Sequence, residues 1–272
     1  MDTDAVLDVL RPIWTTKTET ASRVRQRIEA VLDYATAIKA RSGANPARWK
    51  GHLNNLLPKP SKVRTVKHHA ALDWRQAPKF MAELANRQGI DARALAFTIL
   101  TAARSGEVRG MKWCELDLED SVWTVPADRI KAGKEHRVPL QPSAIALLGD
   151  PGEPDELVFP SPIWKRKPLS DATLAAVLER MGVDVTVHGF RSCFRDWAGE
   201  TTAHAREVVE AALAHRLKDK AEAAYARGDL FAKRRKLMQD WADYLPSPPA
   251  AMLELHEAPL ARAAGHQAGT NL

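Results

Sequence analysis

The chain has 272 residues, 45% of them hydrophobic and 27% charged, with 40 Lys and Arg against 34 Asp and Glu, a composition that fits one large folded domain or two smaller ones. No apolar run approaches the roughly 18 residues of a membrane span, the opening MDTDAVLDVL is acidic and unlike a signal peptide, and two cysteines, Cys114 and Cys193, are too few and too far apart for a disulfide framework or a zinc site. Membrane and secreted classes are thereby excluded, and a cytoplasmic protein is expected.

The net charge of +6 is unevenly placed. Residues 1–72 hold 13 Lys or Arg against 6 Asp or Glu, residues 73–248 hold 26 of each, and residues 249–272 hold 1 against 2. A basic N-terminal quarter gains from a polyanion by releasing its counterions, so this segment is a candidate nucleic-acid grip, with Arg23, Arg25, Arg27, Arg48, Lys50, Lys62, Arg64 and Lys67 as candidate DNA contacts.

In chain order, residues 19–42 predict an amphipathic helix with Val24, Ile28, Val31, Leu32, Ala35 and Ile38 on one stripe and the arginines mostly off it. Residues 45–57, NPARWKGHLNNLL, predict a second helix that starts at Pro46 and packs Trp49, Leu53, Leu56 and Leu57. Two prolines and a run of basic residues then mark a linker, placed at 61–72 between a helical domain at 1–60 and a larger domain at 73–248. In the second domain helices are expected near 77–88, 91–103 and 106–113, short strands around a KAGKE turn within 121–140, and helices again near 171–182, 189–201, 204–214 and 229–245. The tail, 249–272, lacks a sustained apolar face and is expected to be poorly ordered. The fold class is mainly α with a small β-sheet.

Four stretches carry chemistry. In TAARSGEVRG, Arg104 follows an apolar helix and Glu107 lies three residues on, close enough to hold its guanidinium. Lys131 sits on the turn between the expected strands. In VHGFRSCFRDWAGE, His188 and Arg191 bring two cations to the start of a helix, an unfavourable arrangement unless an anion sits among them. In ALAHRLKDKAEAAYARGDLF, His215 closes a helix and Tyr225 follows in a polar, alanine-rich stretch, whereas Tyr34 and Tyr244 lie on periodic apolar faces and read as core. Taken singly, each is also what a solvated surface residue or a helix-junction salt bridge looks like; the ordered set carries the argument.

That set, Arg104 with Glu107, Lys131, His188 and Arg191 as H-x-x-R, His215 and Tyr225, resembles the catalytic residues of the tyrosine recombinases, the phage integrase family. TKTETASRVRQRIEAVLDYA, NPARWKGHLNNLLPK and RRKLMQDWADYL further resemble prophage and genomic-island integrases, and the likeness covers about residues 10–246. Two departures stand out: the family often has T-G-x-R where this chain has Thr101-Ala102-Ala103-Arg104, and L-G-H where it has Leu213-Ala214-His215. The arm-binding domain that usually precedes such integrases has no counterpart here, so a fragment or a short form is expected.

The resemblance implies a helical core-binding domain joined to a mixed α/β catalytic domain, double-stranded DNA attachment sites as substrate, assembly into a tetramer on DNA, an accessory bending or excision factor as a further partner, and nucleoid association when bound. It implies Tyr225 as covalent nucleophile, Arg104 and Arg191 as phosphate clamps, Lys131 as general acid, and His188 and His215 as phosphate or proton-transfer groups. No cofactor or metal is called for. A type IB topoisomerase-like enzyme and a non-catalytic DNA-binding module are the alternative readings.

Overall fold

The chain divides into two units, residues 1–68 and 69–272. The structure is a computed structural model and describes residues 1–63, 70–130, 133–164, 166–215 and 228–246. The architecture is mainly α with one small antiparallel sheet.

The first unit begins with a helix that apolar periodicity further along the chain does not announce, α1 (Thr3–Trp14). The Asp2 carboxylate caps it by accepting the Ala5 N–H at 2.9 Å, and Val6, Leu7, Leu10 and Trp14 form its buried side. Helix α2 (Thr18–Ala37) packs on it through Ala21, with Val24, Ile28 and Leu32 partly buried. The expected stripe is corrected here: Val31, Tyr34 and Ile38 are 65%, 66% and 56% exposed, so Tyr34 is not core. Their places on the buried side are taken by Thr18 and Arg25.

Residues 45–57 do not form the expected α-helix. The Asn45 side chain accepts the Ala47 N–H at 2.9 Å and donates to Glu29 O and Asp33 Oδ1 at 2.8 and 2.7 Å, while Gly51 adopts φ 75°. A side-chain turn followed by a left-handed residue competes with the helix, and only a 3₁₀ turn at Leu53–Asn55 remains. Trp49 is nonetheless used, stacked on Trp14 at 5.5 Å between centroids. A short helix α3 (Pro60–Val63) falls where the linker was expected to begin.

In the second unit α4 (Ala77–Ala85), α5 (Ile90–Thr101) and α6 (Ser105–Arg109) lead into strands β1 (Leu116–Asp117), β2 (Val122–Val125) and β3 (His136–Pro139). Strand β2 is central, pairing Leu116 with Trp123 on one side and Val125 with His136 on the other, so the expected strand pair gains a third member. Helices α7 (Pro142–Ile145), α8 (Thr173–Arg180), α9 (Gly189–Thr201), α10 (Arg206–Ala212) and α11 (Phe231–Tyr244) follow. Helix α5 is buried on all sides from Ala94 to Thr101, which marks it as the axis of the unit. Phe97 packs on Trp123 and Phe159, and Trp241 of α11 donates its indole N–H to Ile99 O at 3.0 Å. Phe194, Trp197, Trp241 and Tyr244 complete an aromatic cluster between α9 and α11.

Ala70–Leu72, expected in the linker, belong to this unit: Leu72 joins its core and Ala70 O accepts the Thr186 N–H at 3.0 Å. The expected tail at 249–272 lies outside the described residues.

Candidate active site

Arg104 is the N-cap of α6, and Glu107 at the third helical position turns back on it. Glu107 Oε2 accepts the Arg104 backbone N–H at 3.0 Å and Oε1 accepts Nη1–H at 2.8 Å. Glu107 is only 5% exposed, so these charge-assisted bonds satisfy a desolvated carboxylate. One side chain therefore fixes both the backbone and the guanidinium of Arg104, as the i,i+3 spacing suggested.

Arg191 lies on the first turn of α9 and is buried. Its Nη1 donates to Ala102 O, and its Nη2 donates to Leu213 O at 2.5 Å and lies 3.3 Å from His215 Nε2. Arg104 Nη2 reaches Ala214 O at 3.4 Å. Two successive residues at the end of α10, where backbone carbonyls lack helical partners and the helix dipole is negative, thus gather arginines from α9 and α6.

The two positions where related sequences often carry glycine explain themselves here. Ala102 ends α5 with φ 50° and Ala214 follows α10 with φ 48°. Each turns left-handed, a conformation that costs an alanine roughly 1 kcal/mol or more, and each contributes a carbonyl that receives an arginine.

Gly189, between His188 and Arg191, is required for a different reason. A Cβ there would stand 2.3 Å from Ala70 O and 2.9 Å from Ala71 Cα, so the chain at 70–71 lies directly on the first turn of α9. His188 is exposed at the N-cap, and its carbonyl accepts the Arg191 N–H at 3.1 Å.

Burial pushes the Arg191 pKa down to about 10, with Arg104 lowering it further and Glu107 and Glu210 opposing. It stays charged at neutral pH. His215 is held below the usual imidazole value, first by burial and then by Arg191 and Arg104, against the opposing hydrogen bond to Glu210. Its Nδ1 lies 2.7 Å from Glu210 Oε2, and Glu210 also pairs with Arg195 Nε at 3.2 Å. These partners assign the ring proton to Nδ1 and leave the Nε2 lone pair facing Arg191.

Arg104, Glu107, His188 and Arg191 line one cleft of about 400 Å³, together with Arg109 and Arg129. The last two are absent from the residues that the sequence singles out. Arg129 donates to Glu115 Oε1 and to Glu107 O, bracing the residue that holds Arg104, and Arg109 donates to Leu169 O at 2.7 Å and pairs with Asp171. Their partners are 14 to 62 residues away, and nothing local in the sequence distinguishes them from surface arginines.

Lys131 and Tyr225 lie outside the described residues. The chain flanking them is well anchored: Gly133 N–H donates to Ile130 O at 2.8 Å, while Asp229 pairs with Arg137 at 2.6 Å and accepts from the fully buried Arg234, which also donates to Arg137 O at 2.6 Å. Tyr244 is half-buried and donates its hydroxyl to Trp74 O at 3.0 Å. Cys193 is buried, which pushes its thiol up to about 12, well away from nucleophilic character.

Of the expected DNA contacts, Arg23, Arg27, Arg48, Lys50 and Lys62 are exposed, while Arg64 and Lys67 lie outside the described residues. Arg25 is corrected: it is 8% exposed, donates to Glu29 at 2.5 Å and to Ala47 O at 2.8 Å, and lies under the Trp49 ring. Its guanidinium serves the packing of the first unit. Among the described residues no helix is long and apolar enough to cross a membrane, and no group of His, Cys, Asp and Glu could hold a metal ion.

The sequence pattern of the Phage integrase family matches residues 71–229, and that of the Phage integrase central domain matches residues 1–52. The chain belongs to the phage integrase family. It is 32% identical over 252 residues to the integrase of Enterobacteria phage P4, covering 84% of this chain and 55% of that protein. It is 31% identical over 245 residues to prophage integrase IntA of Escherichia coli strain K12, covering 87% and 57%. The chain therefore spans a little over half the length of these relatives. Among solved structures, lambda integrase 75–356, a dimer bound to a COC′ core site, superposes with a TM-score of 0.58 at 18% identity over 84% of this chain and 80% of that one. The Tn1549 transposon integrase in complex with circular intermediate DNA gives 0.58 at 12% identity over 87% and 85%. At these identities the likeness is one of fold.

Proposed function

We propose that this protein is a site-specific DNA recombinase, a tyrosine-type integrase that cuts and rejoins duplex DNA for a mobile element. The observation that carries the reading is the convergence of Arg104 and Arg191 on one cleft, held by the end of α10, with His188 and His215 beside them. Two planar cationic forks at a helix start form a receptor for a phosphodiester, whose developing charge they stabilise without reorganising.

In this scheme Tyr225 Oη attacks the scissile phosphorus and the bond to the 5′ oxygen breaks, leaving a 3′-phosphotyrosyl link. The tyrosine proton passes to His188, and Lys131 protonates the departing 5′ oxygen. The phosphotyrosyl bond conserves the energy of the phosphodiester, so attack by a free 5′ hydroxyl reseals the strand. His215 is neutral in the free protein, and a phosphate arriving beside it favours its protonated, two-donor form. Arg23, Arg27, Arg48, Lys50 and Lys62, with Arg64 and Lys67, supply phosphate contacts in a core-binding domain, and residues 69–246 form the catalytic domain.

Lambda integrase has been seen as a dimer on a core site and as a tetramer on a Holliday junction. A tetramer on paired attachment sites is the proposed working form here, with an accessory bending or excision factor as a further partner. The test is a duplex nicked beside the cleavage site, which traps the covalent intermediate. The protein is expected to form a protein–DNA adduct that Tyr225→Phe abolishes while DNA retention persists. Retention without an adduct would instead favour a binding module, and relaxation of supercoils without recombination a topoisomerase-like enzyme.

A further inference from the structure

The described residues 161–164 and 166–167 belong to a closed loop with an unusual tip. Pro160 and Pro168 pair at its base, Ser161 N–H donates to Lys167 O at 2.8 Å, and Lys167 N–H donates to Trp164 O at 2.7 Å. Ser161 Oγ accepts the N–H groups of Ile163 and Trp164 at 3.3 Å each. These bonds hold two large apolar side chains in water: Ile163 is 79% exposed, the most of any large hydrophobic among the described residues, and Trp164 is 64% exposed. Arg166 and Lys167 are exposed beside them, with Lys167 Nζ 5.4 Å from the Trp164 ring centroid.

The base of the loop is tied to the phosphate cleft. Leu169 O and the Asp171 carboxylate both receive Arg109, whose side chain lines the cleft with Arg104 and Arg191. Trp164 is five residues from Leu169, so at about 3.3 Å per residue it lies within roughly 17 Å of the cleft wall. Along B-DNA that reach corresponds to about five base pairs.

We propose that this loop is a second DNA contact, in which Ile163 and Trp164 enter a groove or stack on bases flanking the cleavage site while Arg166 and Lys167 bind the adjacent phosphates. The inference rests on the DNA-cleaving role of the neighbouring cleft. An apolar tip on its own would fit many partners. Flanking cations select a polyanion, and a fixed aromatic and aliphatic pair is the chemistry of groove wedges and base-stacking platforms.

The test measures binding of the full chain to a random-sequence duplex of about 30 base pairs by fluorescence anisotropy across a salt series. Ile163→Ala with Trp164→Ala is expected to weaken binding at least about fivefold. Arg166→Ala with Lys167→Ala is expected to reduce the slope of log affinity against log salt by about 1.8, some 0.9 for each phosphate that is no longer neutralised. All four side chains are exposed, and a thermal melt checks that the variants remain folded. Affinity and slope equal to wild type in both variants would overturn the proposal even though the protein binds DNA. Unchanged DNA binding with loss of self-association in sedimentation would reassign the loop to a contact between copies. Failure of the wild-type chain to bind any duplex would instead defeat the DNA-cleaving reading itself.

Discussion

The two units use arginine in opposite ways. In residues 69–272 the site arginines are immobilised: Arg191 is buried with its η nitrogens on the carbonyls of Ala102 and Leu213, and Arg104 is held by Glu107 and Ala214. In residues 1–68 Arg23, Arg27 and Arg48 lie in solvent, and the pairing of Arg23 with Glu19 is between exposed groups. On the proposed function the difference separates two tasks. Stabilising a transition state needs donors fixed before the charge develops, whereas gripping a polyanion by counterion release needs only charge within reach. Arg25 crosses the boundary, being immobilised in the same unit as these exposed arginines.

The contrast can be broken most severely at Arg191. Arg191→Lys keeps the charge but loses the planar fork that spans Ala102 O and Leu213 O, and should lower the rate of covalent adduct formation by about 10² to 10³. Near-wild-type rates on a nicked duplex would make the H-x-x-R pair structural.

The next effect lies in pH and belongs to the second unit alone. Burial, aided by Arg234, pushes His136 down to about 4, so the folded state keeps it neutral where the unfolded chain, with a value near 6.5, takes up a proton. Its contribution is fully present above pH 6.5 and falls away as pH drops from 6.5 to 4, by on the order of 3 kcal/mol in total. Urea midpoints measured across that range should slope downward toward acid in the wild type and distinctly less in His136→Gln; parallel slopes would mean that His136 does not carry the effect.

Arg25 sharpens the comparison from the other unit. Arg25→Ala leaves Ala47 O and Glu29 without their donor and should cost about 2 kcal/mol in denaturant unfolding. Arg23→Ala and Arg27→Ala should leave stability within about 0.5 kcal/mol while each lowers the salt slope of DNA binding by about 0.9. The opposite pattern would place Arg25 on DNA.

The smallest expected effect is a gain. Ala214→Gly relieves a left-handed alanine at φ 48° and should raise stability by about 0.5 to 1 kcal/mol, read as a higher melting temperature with unchanged cleavage. A loss of stability would show that the Ala214 methyl contributes packing that outweighs its backbone strain.

These particulars also mark how far the fold and the site are legible in the sequence. The spans of α9 and α11 follow from apolar periodicity, that of α5 from a nearly continuous apolar run, and the Arg104–Glu107 pair from i,i+3 spacing, because all three are local. Helix α1 is legible in principle, since Asp2 caps it and Val6, Leu7, Leu10 and Trp14 recur at helical spacing. Residues 45–57 mislead because the Asn45 side-chain turn and Gly51 override helix propensity. The burial of Arg25 and the exposure of Tyr34 invert the usual preference of each residue type. Arg109, Arg129 and the carbonyls of α10 are tertiary in origin, and the contact of Arg104 with Ala214 spans 110 residues.

The end of α10 has one more consequence, for how the site comes into being. The carbonyls of Leu213 and Ala214, just past its last residue, accept from Arg191 and Arg104, and His215 follows directly. A displacement of α10 by a single residue's rise, about 1.5 Å, would part Arg104 from Ala214 O and Arg191 from Leu213 O and His215, while Glu107 and Ala102 O still hold the two arginines at the cleft. A seven-residue helix therefore adjusts both guanidiniums and His215 together without being needed to bring the arginines there.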